Sequence, residues 1–238
     1  ENSTERTKAL IDIYRSRQVD GYIIAPPPGV EDDIKSLIAD HLPVILFDRY
    51  FPDLRTDNVV VDNFQATYNA IQHLFDNGYK NVAFVTLPSE QIQMQQRLDG
   101  YQKVIKELGD LAYVKKITFH NEPWKIVADI EKFLKENKRI DAVFFATNYL
   151  ADAGLEPIRN LGFSIPDKLG IVVFDDHNLF RLFTPSITAI AQPIREISEG
   201  VIKLLLSKLS APSKMKEPET VILPTSLIIR NSSNISKV

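Results

Sequence analysis

Short runs rich in β-branched residues alternate with segments of helical period along nearly the whole chain. The helical segments carry apolar residues at spacings of three and four, as in Ala66, Ala70, Ile71 and Leu74. That spacing places those side chains on one face of a helix. The alternation is typical of βαβ units, and it predicts an α/β protein built around parallel sheets.

Several of the predicted strands are almost wholly apolar over four or more residues, as strands buried on both faces should be. The predicted strands are 19–25, 43–47, 59–61, 82–87, 114–118, 142–146, 169–174, 188–190 and 221–229. The predicted helices are 5–17, 31–41, 63–77, 91–108, 124–137, 149–161 and 194–209. Gly78 follows the third helix and is expected to cap it.

The composition excludes several functional classes. The 238 residues are 44% hydrophobic and 25% charged, as in an ordinary globular protein. Because the chain has no Cys, it has no disulfide framework, thiolate zinc site or cysteine nucleophile. A net charge of −3 attracts no polyanion, so the chain alone is expected to bind nucleic acid poorly. The polar opening stretch predicts neither a signal peptide nor a membrane span, which indicates a soluble protein whose sequence starts within a longer chain.

Nucleotide-binding and catalytic motifs are missing. No two of the nine glycines stand two apart, so the dinucleotide fingerprint and the phosphate loop are both absent. The histidines lack metal-ligand spacing, and we expect structural roles for them; they are His41, His73, His120 and His177. The sequence therefore predicts a binding module with no cofactor and no metal, and an α/β enzyme of unrecognised type is the least favoured alternative.

About ten short blocks, in a fixed order, resemble the effector-binding core of the lactose/galactose-repressor (LacI/GalR) family. Each block is only a few residues long, so the match depends on their order across the whole chain. The blocks are RQVDGYII from Arg17, PVILFDR from Pro43, VVDN from Val60, HL from His73 with Gly78, RLDGY from Arg97, DAVFFATN from Asp141, IPD from Ile165, FDD from Phe174, TPSIT from Thr184 with QP from Gln192, and LP from Leu223 with IRNS from Ile229.

This resemblance implies two Rossmann-like lobes, as in type I periplasmic binding proteins, which close on a small ligand in the cleft between them. Three chain crossings would join the lobes, near residues 87–89, 192–193 and 217–219. The first lobe would comprise residues 1–87 and 193–216, and the second lobe residues 88–192 and 217–238. By the same resemblance, a DNA-binding head and at least one βαβ unit, of roughly 30 or more residues, would precede Glu1.

The implied function is the effector-binding and dimerisation core of a cytoplasmic transcriptional regulator. Its partners would be a small carbohydrate-like effector, a second copy of the chain, and operator DNA. The DNA would be bound through an N-terminal helix-turn-helix that lies outside this sequence, and no membrane would be involved. The alternative is a periplasmic sugar-binding protein, or the sensor domain of a receptor with the same fold.

Six residues match the family's ligand-contact positions, and Tyr149 is expected to add a second aromatic or phenolic contact. The six are Arg97, Asn148, Asp175, Trp124, Phe64 and Gln65. A sugar needs charged or amide groups that pair with adjacent hydroxyls, and an aromatic face for the apolar side of its ring. Asn148 and Asp175 each come just after a predicted strand, where ligands of parallel sheets bind. The residues of this set therefore predict a polyol site.

Four of these residues also have a structural interpretation. Arg97 could be a solvated helix arginine, and Asp175 could form a turn or cap a helix. The Trp124 ring could equally hold the start of its helix against the core, and for Phe64 we slightly favour a core position.

The chain also departs from the family at three places. Tyr149 and Asp152 stand where the family usually has Asp and Ala, and Ala25 stands where some members use Asn. The predicted ligand therefore differs from that of the best-known members.

Overall fold

Strands and helices alternate along the chain as predicted, in a computed structural model that describes residues 3–118, 123–210 and 217–234. The strands are β1 Tyr22–Ile24, β2 Val44–Phe47, β3 Asp57–Val61, β4 Val82–Thr86, β5 Tyr113–Lys116, β6 Ala142–Phe145, β7 Gly170–Phe174, β8 Thr188–Ala191, β9 Thr220–Leu223 and β10 Ser226–Ile228. The helices are α1 Thr4–Ser16, α2 Glu31–Ala39, α3 Asn63–Asp76, α4 Ile92–Leu108, α5 Pro123–Glu136, α6 Asn148–Asn160, α7 Asn178–Leu182 and α8 Ile194–Leu209. A 3₁₀ turn, Asn231–Ser233, follows β10.

Unit 1 is built on a four-stranded parallel sheet, sheet A, in the order β1-β2-β3-β9. It comprises Glu1–Asp62, Gln91–Gln93 and Pro193–Pro224. Ile11 of α1 and Leu37 of α2 pack on one face of the sheet. Val201 and Leu204 of α8 pack against β2 and β3 in a separate cluster. Helices on both faces account for the nearly unbroken apolar character of these strands.

Unit 2 is built on a six-stranded sheet, sheet B, in the order β10-β8-β7-β6-β4-β5. All neighbouring strands are parallel except β10, which runs antiparallel to β8. Ile126 and Ile130 of α5 and Leu155 of α6 join the strands in one large core cluster. The buried ring of Tyr101 in α4 stacks on Phe84 of β4, with ring centroids 5.0 Å apart. The prediction of an α/β protein with parallel sheets is confirmed.

The two units divide the chain differently from the predicted lobes. Unit 2 begins at Asn63 rather than near residue 88, because β4 pairs on both sides with strands of sheet B. The last boundary falls after Pro224 rather than near 217–219, because β9 pairs with β3 of sheet A. The chain also passes from unit 2 to unit 1 between Gln192 and Pro193.

Local details of the sequence explain further differences. The predicted strand 221–229 is two strands of different sheets, β9 and β10, with Pro224 between them. The short helix α7 was not predicted, because five residues carry too little helical periodicity to be seen. Gly78 follows α3 with φ of 95° and donates its N–H to the Phe75 carbonyl, so the predicted cap is confirmed.

Gly100 has a packing role that the lack of a side chain explains. A Cβ at this position would lie 2.5 Å from the carbonyl oxygen of Phe64. Only glycine therefore lets α4 approach the backbone of α3 this closely.

Candidate functional site

The order of the strands in sheet B marks where a ligand should bind. From β4 the chain passes to β5 on one side, whereas β6, β7 and β8 follow one another on the other side. The switch point therefore lies at the carboxyl ends of β4 and β6, where open α/β sheets bind their ligands. We call the residues Ala146, Asn148, Asp175 and Gln192, which follow β6, β7 and β8, the carboxyl edge of sheet B.

Arg97 of α4 reaches this switch point and is held there from three directions. Its Nε donates to Oδ1 of Asn63 over 2.9 Å, and its Nη1 donates to the carbonyl of Ala146 over 2.7 Å. The Arg97 Cζ lies 3.5 Å from the centroid of the Phe174 ring, so the cation stacks on the aromatic face. Only 3% of Arg97 is exposed, which rules out the solvated helix arginine. Its planar group is thus fixed in orientation before any ligand arrives.

Asp175 follows β7 directly and faces the guanidinium group. Its Oδ2 lies 3.6 Å from Nη1 of Arg97, and its Oδ1 accepts a hydrogen bond from Nε2 of Gln192 over 2.5 Å. The backbone of Asp175 is left-handed, with φ of 77°, and its N–H donates to the carbonyl of Ile190. The structure therefore brings together Arg97 and Asp175, and the turn that was an alternative role for Asp175 is what aims its carboxylate.

Asn148 and Tyr149 begin α6 just after β6. Thr147 precedes them and caps the helix by accepting the N–H of Leu150 on its hydroxyl, over 3.3 Å. Asn148 is therefore the second residue after the carbonyl to which Arg97 donates. Both side chains are half-buried, and Tyr149 packs against the core cluster of unit 2. Asn148 lies at the carboxyl edge of sheet B, as predicted.

The other three predicted residues lie elsewhere in unit 2. Trp124 is 64% exposed, so the interpretation that it packs the helix start onto the core is wrong. Phe64 is 36% exposed and stacks on Tyr68 with centroids 6.4 Å apart, so the preferred core position is also wrong. Gln65 is exposed and donates to Oδ1 of Asn69 over 2.7 Å. Ligand contacts by these three residues stay predictions.

Three residues around Arg97 and Asp175 were not predicted as site residues, namely Asn63, Phe174 and Gln192. Each was part of a motif block, but a block shows only neighbours along the chain. Asn63 is 34 positions from Arg97, and Gln192 is 17 positions from Asp175. Such pairings become visible only when the strand order is known.

The described residues hold no cluster that could bind a metal ion. Within residues 3–118, 123–210 and 217–234, no three His, Asp or Glu side chains converge. His177 caps α7 by accepting the N–H of Leu179 on Nδ1, and His73 bonds Oγ of Ser233. His120 lies outside the described residues. In the same parts of the chain, no helix has the length and apolar character needed to cross a bilayer.

The profile of the periplasmic binding protein-like domain matches residues 71–233, well over half of the chain. The chain belongs to the periplasmic binding protein-like family. Within this family, it is 27% identical over 236 residues to the HTH-type transcriptional regulator KdgR of Bacillus subtilis (strain 168), covering 98% of this chain and 69% of KdgR. It is 28% identical over 228 residues to the regulator DegA of the same organism, covering 93% of this chain and 66% of DegA.

A solved structure of a transcriptional regulator shows the same fold. A LacI family transcriptional regulator from Enterococcus faecium, with bound ribose, is 26% identical with a TM-score of 0.83. The match covers 97% of this chain and 84% of that chain. The predicted resemblance to the LacI/GalR effector-binding core is confirmed by these relatives. The chain spans about two thirds of the length of the curated regulators it matches.

Proposed function

We propose that this chain is the effector-binding domain of a LacI-type transcriptional regulator and that it binds a small polyol at the carboxyl edge of sheet B. The observation that carries the proposal is the buried Arg97, locked by Asn63, Ala146 and Phe174, with the Asp175 carboxylate 3.6 Å away. A regulator from E. faecium with the same fold was solved with ribose bound. The polyol is therefore a sugar or a sugar derivative.

Two complementary charged groups side by side suit a pair of adjacent hydroxyls. Each hydroxyl has one donor and two acceptor positions, the guanidinium group only donates, and the carboxylate only accepts. Hydroxyls on neighbouring carbons can therefore accept from Arg97 and donate to Asp175 at once. Such charge-assisted bonds contribute about 1.5–3 kcal/mol each in a desolvated site.

Ligand binding controls DNA binding by shifting the equilibrium between two conformations. A change from mostly one state to mostly the other needs a binding preference of about 5.5 kcal/mol. Two to four charge-assisted hydrogen bonds, made in one state only, reach that value. The regulator acts as a homodimer on operator DNA, through a helix-turn-helix like the one named in its relatives KdgR and DegA. No chemical step is involved.

Calorimetric titration with D-ribose, the sugar bound in the E. faecium structure, tests the proposal, with other monosaccharides as further candidates. Fluorescence of Trp124, the only Trp, gives a second readout of binding. We expect Arg97→Ala to weaken binding of the preferred sugar about 10- to 100-fold, because at least one charge-assisted bond is lost. The matched control is Arg195→Ala, which removes an exposed arginine paired with Glu199.

Two results would overturn the proposal. One is unchanged affinity in Arg97→Ala at an unchanged melting temperature. The other is conversion of the sugar to a product by the purified chain. If the full-length protein binds sugar but its affinity for DNA never responds to that sugar, the periplasmic-type binding protein becomes the better assignment.

A further inference from the structure

The segment after β10 is fixed to sheet B through buried hydroxyl groups. Ser232 donates its N–H to the carbonyl of Ser186 over 2.9 Å and its hydroxyl to the carbonyl of Ile171 over 2.6 Å. The same hydroxyl accepts the N–H of Thr188 over 2.8 Å. Ser232 and Ser233 are both fully buried. This end of the described chain is therefore an integral part of unit 2.

A directed chain of hydrogen bonds leads from His73 of α3 to the backbone of Arg230. Nδ2 of Asn77 faces Nδ1 of His73 over 3.2 Å and can only donate, so Nε2 of the imidazole carries the proton. Nε2 then donates to Oγ of Ser233 over 2.8 Å, and this hydroxyl donates to Oγ1 of Thr188 over 2.7 Å. Thr188 in turn donates to the carbonyl of Arg230 and accepts its N–H, over 3.1 and 2.9 Å. The main chain of Arg230 is held on both sides.

The Arg230 side chain extends from this fixed main chain and binds Asp176, in the turn beside the candidate site. Its Nη1 and Nη2 donate to the two carboxylate oxygens of Asp176 over 2.8 and 2.7 Å, and Nη1 also donates to the carbonyl of Ile187. The side chains of Arg230 and Asp176 are 13% and 25% exposed. The hydrogen bonds from Arg230 hold the pKa of the Asp176 carboxyl below its usual value. A bidentate ion pair of this kind fixes the relative orientation of the guanidinium and carboxylate groups as well as the distance between them.

Asp176 is joined directly to Asp175, whose left-handed φ of 77° is unfavourable for a residue with a side chain. The N–H groups of both residues donate to one carbonyl, that of Ile190, over 3.1 and 3.0 Å. If Asp176 were released, Asp175 could relax to a negative φ. Its carboxylate would then turn away from Arg97 and Gln192.

We propose that Arg230 is a positioning residue for effector binding, which acts through Asp176 to keep Asp175 left-handed and its carboxylate aimed at Arg97. The inference rests on the proposed function for the role of Asp175 in binding. The rival explanation is that Arg230 only straps the C-terminal segment to the sheet. If that role were the only one, removal of the Arg230 side chain would lower the melting temperature without changing the Asp175 geometry or the affinity.

Crystal structures of Arg230→Ala and Arg230→Lys, together with D-ribose titrations, separate the two explanations. In Arg230→Ala we expect Asp175 to lose its positive φ. The distance between the Arg97 guanidinium group and the Asp175 carboxylate should then exceed about 4 Å, the usual limit of an ion pair. The affinity for D-ribose should fall about tenfold. In Arg230→Lys we expect the melting temperature to recover but not the affinity, because an ammonium group cannot form the two parallel bonds. Arg195→Ala is the control and should leave the Asp175 geometry and the affinity unchanged.

The proposal is overturned if Asp175 keeps its positive φ and its ion-pair distance to Arg97 in Arg230→Ala, whatever happens to the melting temperature. Should that variant fail to fold, a crystal structure of Asp176→Asn answers the same question. An amide has a single acceptor oxygen, so it cannot accept the two parallel hydrogen bonds of the guanidinium group on separate atoms. The Asp175 geometry is read without any sugar. A wild-type chain that does not bind D-ribose therefore counts against the proposed ligand, while the crystal structures still decide the role of Arg230.

Discussion

Two buried ion pairs, one in each unit, differ as expected if the first is structural and the second, the binding pair, contacts the ligand as we propose. In unit 1, Nζ of Lys208 lies 3.0 Å from Oδ2 of Asp57, and both side chains are at most 17% exposed. In unit 2, Nη1 of Arg97 lies 3.6 Å from Oδ2 of Asp175, whose side chain is 26% exposed. The first pair is in direct contact and largely closed to water. The second is spaced beyond hydrogen-bond distance and is open on the carboxylate side.

The surroundings of the two pairs explain this difference. Asp57 stands at the amino end of β3 and also accepts the N–H of Glu219, so it ties α8 and the start of β9 to sheet A. Asp175 stands at a carboxyl end, and its position is set by its own turn and by Gln192 rather than by contact with Arg97. A structural pair is held by its mutual attraction. The binding pair is held apart by other groups, which leaves both members able to contact the ligand that we propose.

The largest expected effect is on the structural pair. We expect Asp57→Ala to lower the free energy of unfolding by about 3 kcal/mol, because it removes both the ion pair with Lys208 and the hydrogen bond from the N–H of Glu219. Urea denaturation followed by circular dichroism measures this loss. Under conditions in which the variant is fully folded, its D-ribose affinity should stay close to that of the wild type. A loss of affinity with no loss of stability would reverse the roles assigned to the two pairs.

The binding pair should show the opposite pattern. We expect Asp175→Asn to weaken D-ribose binding about 10- to 100-fold, because the amide replaces a charged acceptor that pairs with a hydroxyl. The free energy of unfolding should change by less than about 1 kcal/mol, because the carboxylate is partly exposed. Calorimetry and urea denaturation on the same preparation give both values. Asp110→Asn, a change in the exposed segment after α4, is the control.

The smallest effect concerns the hydrogen-bond chain that begins at His73 in unit 2. Burial lowers the pKa of His73 below its ordinary value of 6.5. As the pH falls below about 6.5, the His73 imidazole takes up a proton in the unfolded chain before it does so in the folded chain. The free energy of unfolding therefore decreases as the pH is lowered below that value. Denaturation midpoints measured between about pH 5 and pH 8 should show this decrease. The decrease should be smaller in His73→Gln, which keeps a donor for Ser233 but does not titrate.

Much of the fold was predictable because strand and helix periods are local properties. The almost wholly apolar strands β4, β6 and β7 and the amphipathic α3 were predictable from the residues alone. The first unit boundary was wrong because strand pairing is not local, and nothing in the sequence of β4 says which sheet it joins. Arg97 and Asp175 were found through their motif blocks. Their partners Asn63 and Gln192 were missed because only the folded sheet brings them within reach.

The exposure of single aromatic residues was the least predictable property. Trp124 and Phe64 carry side chains that usually favour a core, yet both are classed among the exposed residues. Neither the helical spacing nor the residue type could decide this, because exposure depends on what the neighbouring elements leave uncovered. The same limit applies to Arg97, whose charge favours the surface and which is buried.

The central claim is that Arg97 and Asp175 together hold adjacent hydroxyls of a sugar. A crystal structure of the chain with the sugar that binds most tightly in the titrations tests it most directly. We predict two neighbouring hydroxyl oxygens, one within about 3.2 Å of the Arg97 guanidinium group and the other equally close to the Asp175 carboxylate. A sugar that is bound with neither group in contact would contradict the account.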